Sequence, residues 1–164
     1  MSKHSEKHAD KKTNAMRELE RVEQPYEAHW FECPEALSGV EVAHMLHEDP
    51  DCVFKTLVTV GKSGEHYVFM IPVALELDLK KAASVVGEKS IAMVKSKELL
   101  GLTGYVHGGC SPLGMKKRFT TTIDESATLY DTIFFSGGKI GCQIETSLDS
   151  LKAAIPVGEA DLTA

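Results

Sequence analysis

The sequence predicts an α+β fold, a mixed sheet or partly closed barrel with helices packed outside it. Three observations lead there. About seven short segments carry the alternating or apolar patterns of strands. Helical segments fall between them irregularly, without the βαβ rhythm of a parallel sheet. No linker or shift in composition divides residues 11–155, which read as one domain. Residues 1–10 lack an apolar pattern and read as a disordered arm, and residues 156–164 as a loose tail.

Met16, Leu19 and Val22 recur at helical spacing, so residues 11–23 form an amphipathic helix ended by Pro25. Tyr26 to Phe31 alternates as a strand with Tyr26, Ala28 and Trp30 on one side. Ser38 and Glu41 make a capping box for a short helix carrying Val42, Ala43 and Leu46. Cys52 to Val60 and His66 to Ile71 are the arms of a hairpin around Gly61-Lys62-Ser63-Gly64. Asp78 caps a helix that stops at Gly87. A short strand at Ile91 to Val94 precedes a helix from Ser96 to Gly101. Phe119 to Ile123, Thr132 to Ser136 and Gly141 to Glu145 are strands, and Ser147 caps a last helix through Ala154.

With 164 residues, 43% hydrophobic and 26% charged, the chain has the composition of a soluble globular domain. Its four cysteines are scattered without a C-x-x-C pair, which argues against zinc or a disulfide framework and for a reducing cytoplasm. No apolar run approaches the ~18 residues that span a bilayer, so no membrane is involved. A net charge of −6 argues against gripping nucleic acid through bulk electrostatics. A nucleic-acid partner needs a local basic patch or a second protein to present it.

Residues 104–114 hold Gly104, Gly108, Gly109, Gly114 and Pro112, too many breakers for a regular element. The free N–H groups of such a loop suit an oxyanion, a phosphate or a ribose. Cys110, Ser111 and the basic run Lys116-Lys117-Arg118 stand beside it. Lys55 is the second feature, a lysine between Phe54 and Leu57 in an apolar strand. Either its face is solvent-exposed and the lysine ordinary, or it lines a cavity mouth; Thr56 then faces the other side. The glycines of Ser136-Gly137-Gly138-Lys139 are explained by hairpin chemistry. The histidines make no catalytic set, and only His107 adjoins the loop. Without a neighbouring histidine, Cys110 reads as a packed thiol and not a nucleophile.

Together, Val53-Phe54-Lys55-Thr56-Leu57, Ile71-Pro72-Val73, Gly108-Gly109-Cys110-Ser111-Pro112-Leu113-Gly114, Lys116-Lys117 and Ser136-Gly137-Gly138-Lys139 resemble the YbaK family. These are aminoacyl-tRNA deacylases related to the editing domain of bacterial prolyl-tRNA synthetase. The resemblance spans Met16 to Ala154. It implies a barrel-like mixed sheet flanked by helices, and a hydrolase that clears mischarged tRNA in trans without metal or cofactor. For this branch the implied substrate is Cys-tRNA(Pro), with an alanyl-tRNA deacylase or a non-catalytic tRNA-end module as alternatives.

By the same resemblance Lys55 is the essential lysine, and Thr56, the loop from Gly108 to Pro112 with Ser111, and Ser136 complete the substrate site; the chemistry of an ester carbonyl then leads us to expect backbone N–H groups from Gly108 and Gly109 as its oxyanion donors. Phe31 stands where the family commonly has tyrosine, and Gln143 where it has an acidic residue; both positions bear on which amino acid is accepted. Lys116, Lys117 and Arg118 are the expected contact to the tRNA acceptor end, presented by prolyl-tRNA synthetase.

Overall fold

The computed structural model describes residues 11–33 and 37–164, so the arm expected at residues 1–10 lies outside the described residues. Five α-helices, α1 (Asn14–Arg21), α2 (Gly39–Met45), α3 (Leu79–Val86), α4 (Ser96–Thr103) and α5 (Leu148–Ala154), accompany eight strands. The strands are β1 (Glu27–Trp30), β2 (Phe54–Gly61), β3 (His66–Pro72), β4 (Ile91–Met93), β5 (Thr120–Asp124), β6 (Ile133–Ser136), β7 (Cys142–Thr146) and β8 (Val157–Ala160).

Local chemistry sets the helix ends. Ser38 and Glu41 form the reciprocal capping box at α2. Asp78 accepts from the N–H groups of Lys80 and Lys81, and left-handed Gly87 closes α3. The Ser147 hydroxyl caps α5.

The strands form two sheets, ordered β1-β7-β6 and β4-β2-β3-β5-β8. Among the described residues, a single parallel bridge, Val53 to Phe134, links them. The sheet therefore does not close into the expected barrel. Between the sheets lies the main core, in which Phe54, Met70, Ile123, Phe135 and Ile144 meet Met16 and Leu19 of α1 and Leu151 of α5. On the other face of the larger sheet, Phe69 and Ile71 pack against Ala82 and Ala83 of α3.

The expectation of a loose tail is overturned. β8 pairs in parallel with β5, from Thr121–Val157 to Asp124–Ala160, and is the eighth strand. Leu162 is fully buried, and its N–H donates to Asp124 Oδ1 at 2.9 Å. Asp78 N–H donates to the Leu162 carbonyl at 2.8 Å, tying the tail to the start of α3. Its stability is non-local, and Val157-Gly158-Glu159-Ala160 lacks the apolar alternation that announces a strand.

Candidate active site

The antiparallel β2–β3 pair puts Lys55 opposite Ile71 and Thr56 opposite Met70. Val73 N–H donates to the Val53 carbonyl, so Val53, Lys55 and Leu57 exchange hydrogen bonds with β3 and the alternate residues face the opposite edge. On that edge β4 pairs only with Thr59 to Gly61, and Val94 N–H reaches the Val58 carbonyl. No described strand pairs there with the stretch between Val58 and the Val53–Phe134 bridge. The backbone groups of Thr56 thus point into a gap in the sheet.

A cavity of about 430 Å³ fills that gap. Its walls are the Lys55 end of β2, the start of α2, α4, the glycine loop and the strand ends around Ser136 and Gln143. Two-sided construction explains the local sequence. Gly108 adopts φ +86°, a left-handed conformation open to glycine, and a Cβ on Gly109 would lie 3.0 Å from the Ile140 amide nitrogen. Glycine at both positions lets the loop pack directly on the turn after β6.

Lys55, Thr56, Gly108, Phe31, Ser136 and Gln143 all line the cavity. Lys55 is half-buried, and among the described residues no ion pair engages its ammonium. The reading of Lys55 as an ordinary exposed lysine therefore gives way to a cation on a cavity wall. The Thr56 hydroxyl and Gln143 Oε1 are buried without hydrogen-bond partners. Unsatisfied buried polar atoms cost about 1–3 kcal/mol each, which in a cavity wall points to a ligand that completes them.

Three expected residues lie behind the wall. The Gly109 N–H donates to the Val106 carbonyl at 3.0 Å, so it is committed to a turn and does not serve as an oxyanion donor. The fully buried Ser111 accepts from Leu113 N–H at 3.3 Å, and Pro112 is buried beside it. Both shape the loop and do not touch the cavity. Tyr105 anchors the same segment by donating from its hydroxyl to the Leu113 carbonyl at 2.6 Å. Ser136 divides its role, since its hydroxyl accepts from Gly138 N–H at 3.2 Å while the residue lines the cavity. Lys116, Lys117 and Arg118 are exposed and outside the lining.

Burial pushes the Cys110 thiol up to about 11 and the Cys142 thiol up to about 12. Both therefore hold their protons at neutral pH, which bears out Cys110 as a packed thiol. His107 also lines the cavity and is exposed. The apolar contribution of α2 and α4, with Val42 and Leu99, was not anticipated. Helices distant in sequence carry no local sign that they converge on one site.

A half-buried lysine and a glycine loop thus line one cavity together with two unsatisfied buried oxygens, an arrangement whose chemistry suits a small polar ligand that carries negative charge. The chain belongs to the aminoacyl-tRNA editing domain family, whose pattern matches residues 33–154. A relative from Enterococcus faecalis, named as the Cys-tRNA(Pro)/Cys-tRNA(Cys) deacylase EbsC, is 44% identical over 148 residues, 90% of each chain. Two crystal structures share the fold. That of the hypothetical protein APE2540 superposes with a TM-score of 0.85 at 20% identity, over 93% of this chain and all of its own. The other, described as a trans-editing enzyme for prolyl tRNA synthetase, has a TM-score of 0.80 at 24% identity, over 94% of this chain and 99% of its own.

Among the described residues, no helix is long and apolar enough to cross a membrane.

Proposed function

We propose that this protein is a trans-editing hydrolase that deacylates mischarged tRNA, with Cys-tRNA(Pro) as its substrate. The observation that carries the reading is Lys55, half-buried and without an ion pair among the described residues, on the wall of a cavity that Gly108 also lines, in a member of the editing family. The relative named for Cys-tRNA(Pro) and Cys-tRNA(Cys) supports the choice of amino acid.

An aminoacyl ester is already activated, so the enzyme's task is positioning and charge stabilisation. The cavity volume of about 430 Å³ is in the range of small-ligand sites and suits the aminoacyl group with part of the terminal ribose. The substrate's own thiolate attacks its carbonyl carbon. The resulting oxyanion is stabilised by the Lys55 ammonium and the Gly108 N–H. Collapse breaks the ester C–O bond, and the ribose oxygen leaves with the proton that the thiol gave up. Water then opens the thiolactone to free cysteine. This route needs no protein nucleophile, in keeping with the protonated state of Cys110.

The net charge of −6 leaves recognition of the acceptor end to a local patch, for which Lys116, Lys117 and Arg118 serve, with prolyl-tRNA synthetase presenting the tRNA. Free tRNA is expected to bind weakly and with strong salt dependence, and more tightly when the synthetase is added. Tight binding by the isolated protein at physiological salt contradicts this arrangement.

The deciding measurement is deacylation of cysteinyl-, alanyl- and prolyl-tRNA in parallel, with Lys55→Ala as control. Hydrolysis of Cys-tRNA(Pro) alone is the expected pattern. Preference for the alanyl ester, which has no thiol, refutes the substrate-assisted step.

A further inference from the structure

The glycines of Ser136-Gly137-Gly138-Lys139 suit a hairpin, but Gly138 has a second reason to lack a side chain. A Cβ there would stand 3.1 Å from Cε1 of Tyr105, at the start of the glycine loop. At the far end of that loop, a Cβ on Gly114 would stand 2.6 Å from the Tyr105 hydroxyl. It would also stand 2.9 Å from the Ala15 amide nitrogen of α1. Two glycines from separate segments thus make room for one buried aromatic ring.

Hydrogen bonds fix that ring at both ends. The Tyr105 N–H donates to the Thr103 hydroxyl at 3.0 Å, and that hydroxyl donates to the Leu99 carbonyl of α4 at 2.8 Å. The phenol donates to the Leu113 carbonyl at 2.6 Å. Burial pushes the phenol up to about 12, so it keeps its proton and remains a donor at neutral pH. Leu113 is tied back along the loop by its N–H to the Ser111 hydroxyl, and Gly114 N–H donates to Glu18 Oε1 of α1 at 3.2 Å. On the other side of the ring, Gly138 N–H donates to the Ser136 hydroxyl at 3.2 Å. Any shift of the ring therefore reaches the Ser136 side chain through Gly138. Gly109, packed on Ile140, is a second point at which the loop meets the turn.

We propose that Tyr105 is a positioning residue for deacylation, a strut between the glycine loop and the turn after β6. It holds Gly108 and Ser136, which line the cavity from those two segments, in fixed relation to each other. Tyr105 itself is outside the cavity lining and acts through those residues. The reaction it serves rests on the function proposed above; the coupling of loop to turn stands on the packing.

The test is Tyr105→Phe, which keeps the ring and removes only the hydroxyl. Thr59→Val, outside the cavity lining, is the control for a simple loss of stability. Deacylation of Cys-tRNA(Pro) and amide hydrogen exchange are measured on the wild type and both folded variants. In Tyr105→Phe, kcat should fall about tenfold or more while KM stays within about twofold, the pattern of lost alignment in the transition state. Exchange of the Gly109 and Gly138 amides should quicken together, by about tenfold. Thr59→Val should show neither change. Unchanged kcat in Tyr105→Phe, or a fall that Thr59→Val matches at equal loss of melting temperature, overturns the inference. Quickened exchange at Gly109 with Gly138 unmoved overturns it as well. A wild type that cleaves no aminoacyl-tRNA refutes the proposed function, and exchange then decides the coupling alone. Joint quickening supports the strut, and an unmoved Gly138 refutes it.

Discussion

The two halves of β2 make opposite use of the same kind of sequence. At Thr59 and Val60 the strand is paired on both edges, by β3 and by β4. There the Thr59 hydroxyl is fully buried and donates to the Tyr67 carbonyl at 2.9 Å. Between the Val53–Phe134 bridge and Val58 the strand keeps β3, but no described strand pairs with its other edge, and the Thr56 hydroxyl is buried without a partner among the described residues. Two threonines three positions apart thus serve different ends. One completes the fold, and the other stands open at a cavity at some expense of stability.

The largest effect that can break this comparison is at Lys55. Lys55→Ala removes the one cation expected at the developing oxyanion, and deacylation should fall by roughly 10²–10³-fold. Stability should be unchanged or slightly raised, because a half-buried ammonium is no longer held at the wall. Single-turnover deacylation beside a thermal melt separates the two readouts. Full activity in a folded Lys55→Ala protein removes Lys55 from the mechanism.

The threonines sharpen the contrast with opposite signs. Thr56→Val deletes an orphaned hydroxyl at nearly constant shape, so the protein should gain up to about 1 kcal/mol of stability and lose about tenfold in kcat/KM. Thr59→Val deletes a satisfied hydroxyl, while the Tyr67 carbonyl keeps its ladder bond from the Thr59 N–H. It should lose about 1 kcal/mol of stability with kcat/KM unchanged. Urea unfolding of the two variants checks the signs. The same sign at both positions means that the cavity half is ordinary packing.

What was legible in the sequence follows the range of the interactions involved. The capping box at Ser38, the Asp78 cap and the Gly87 stop are contacts within a few residues, and each occurs where the pattern placed it. Lys55 was legible because an ammonium in an apolar strand is a local conflict that only a cavity or solvent resolves. The open sheet pair was not legible, since closure depends on whether β2 pairs with β6 along its length, and among the described residues the two sheets meet only at the bridge from Val53, just before β2, to Phe134. Gly109 shows the same limit from the other direction. Its composition announced a loop with free N–H groups, but the turn to Val106 that occupies its N–H is a matter of conformation.

The smallest expected effect is at Cys110. Its thiol lines the cavity and is 7% exposed, and burial pushes it up to about 11 against an ordinary value of 9.0. If the substrate's thiol performs the attack, Cys110→Ala should change kcat/KM by less than about twofold, within the range of a side chain that packs but does not react. The raised value carries its own stability signature. An unfolded thiol ionises near 9 while the native one keeps its proton to about 11, so this group's contribution is fully present below pH 9 and is lost as pH rises towards 11. Cys110→Ala should therefore flatten the decline of stability between pH 9 and 11 without altering activity at neutral pH. Alkylation of native Cys110 should be slow at pH 7 and accelerate only in that alkaline window. Fast labelling at neutral pH, with loss of deacylation in Cys110→Ala, would return the chemistry from the backbone of the glycine loop to a side chain on it.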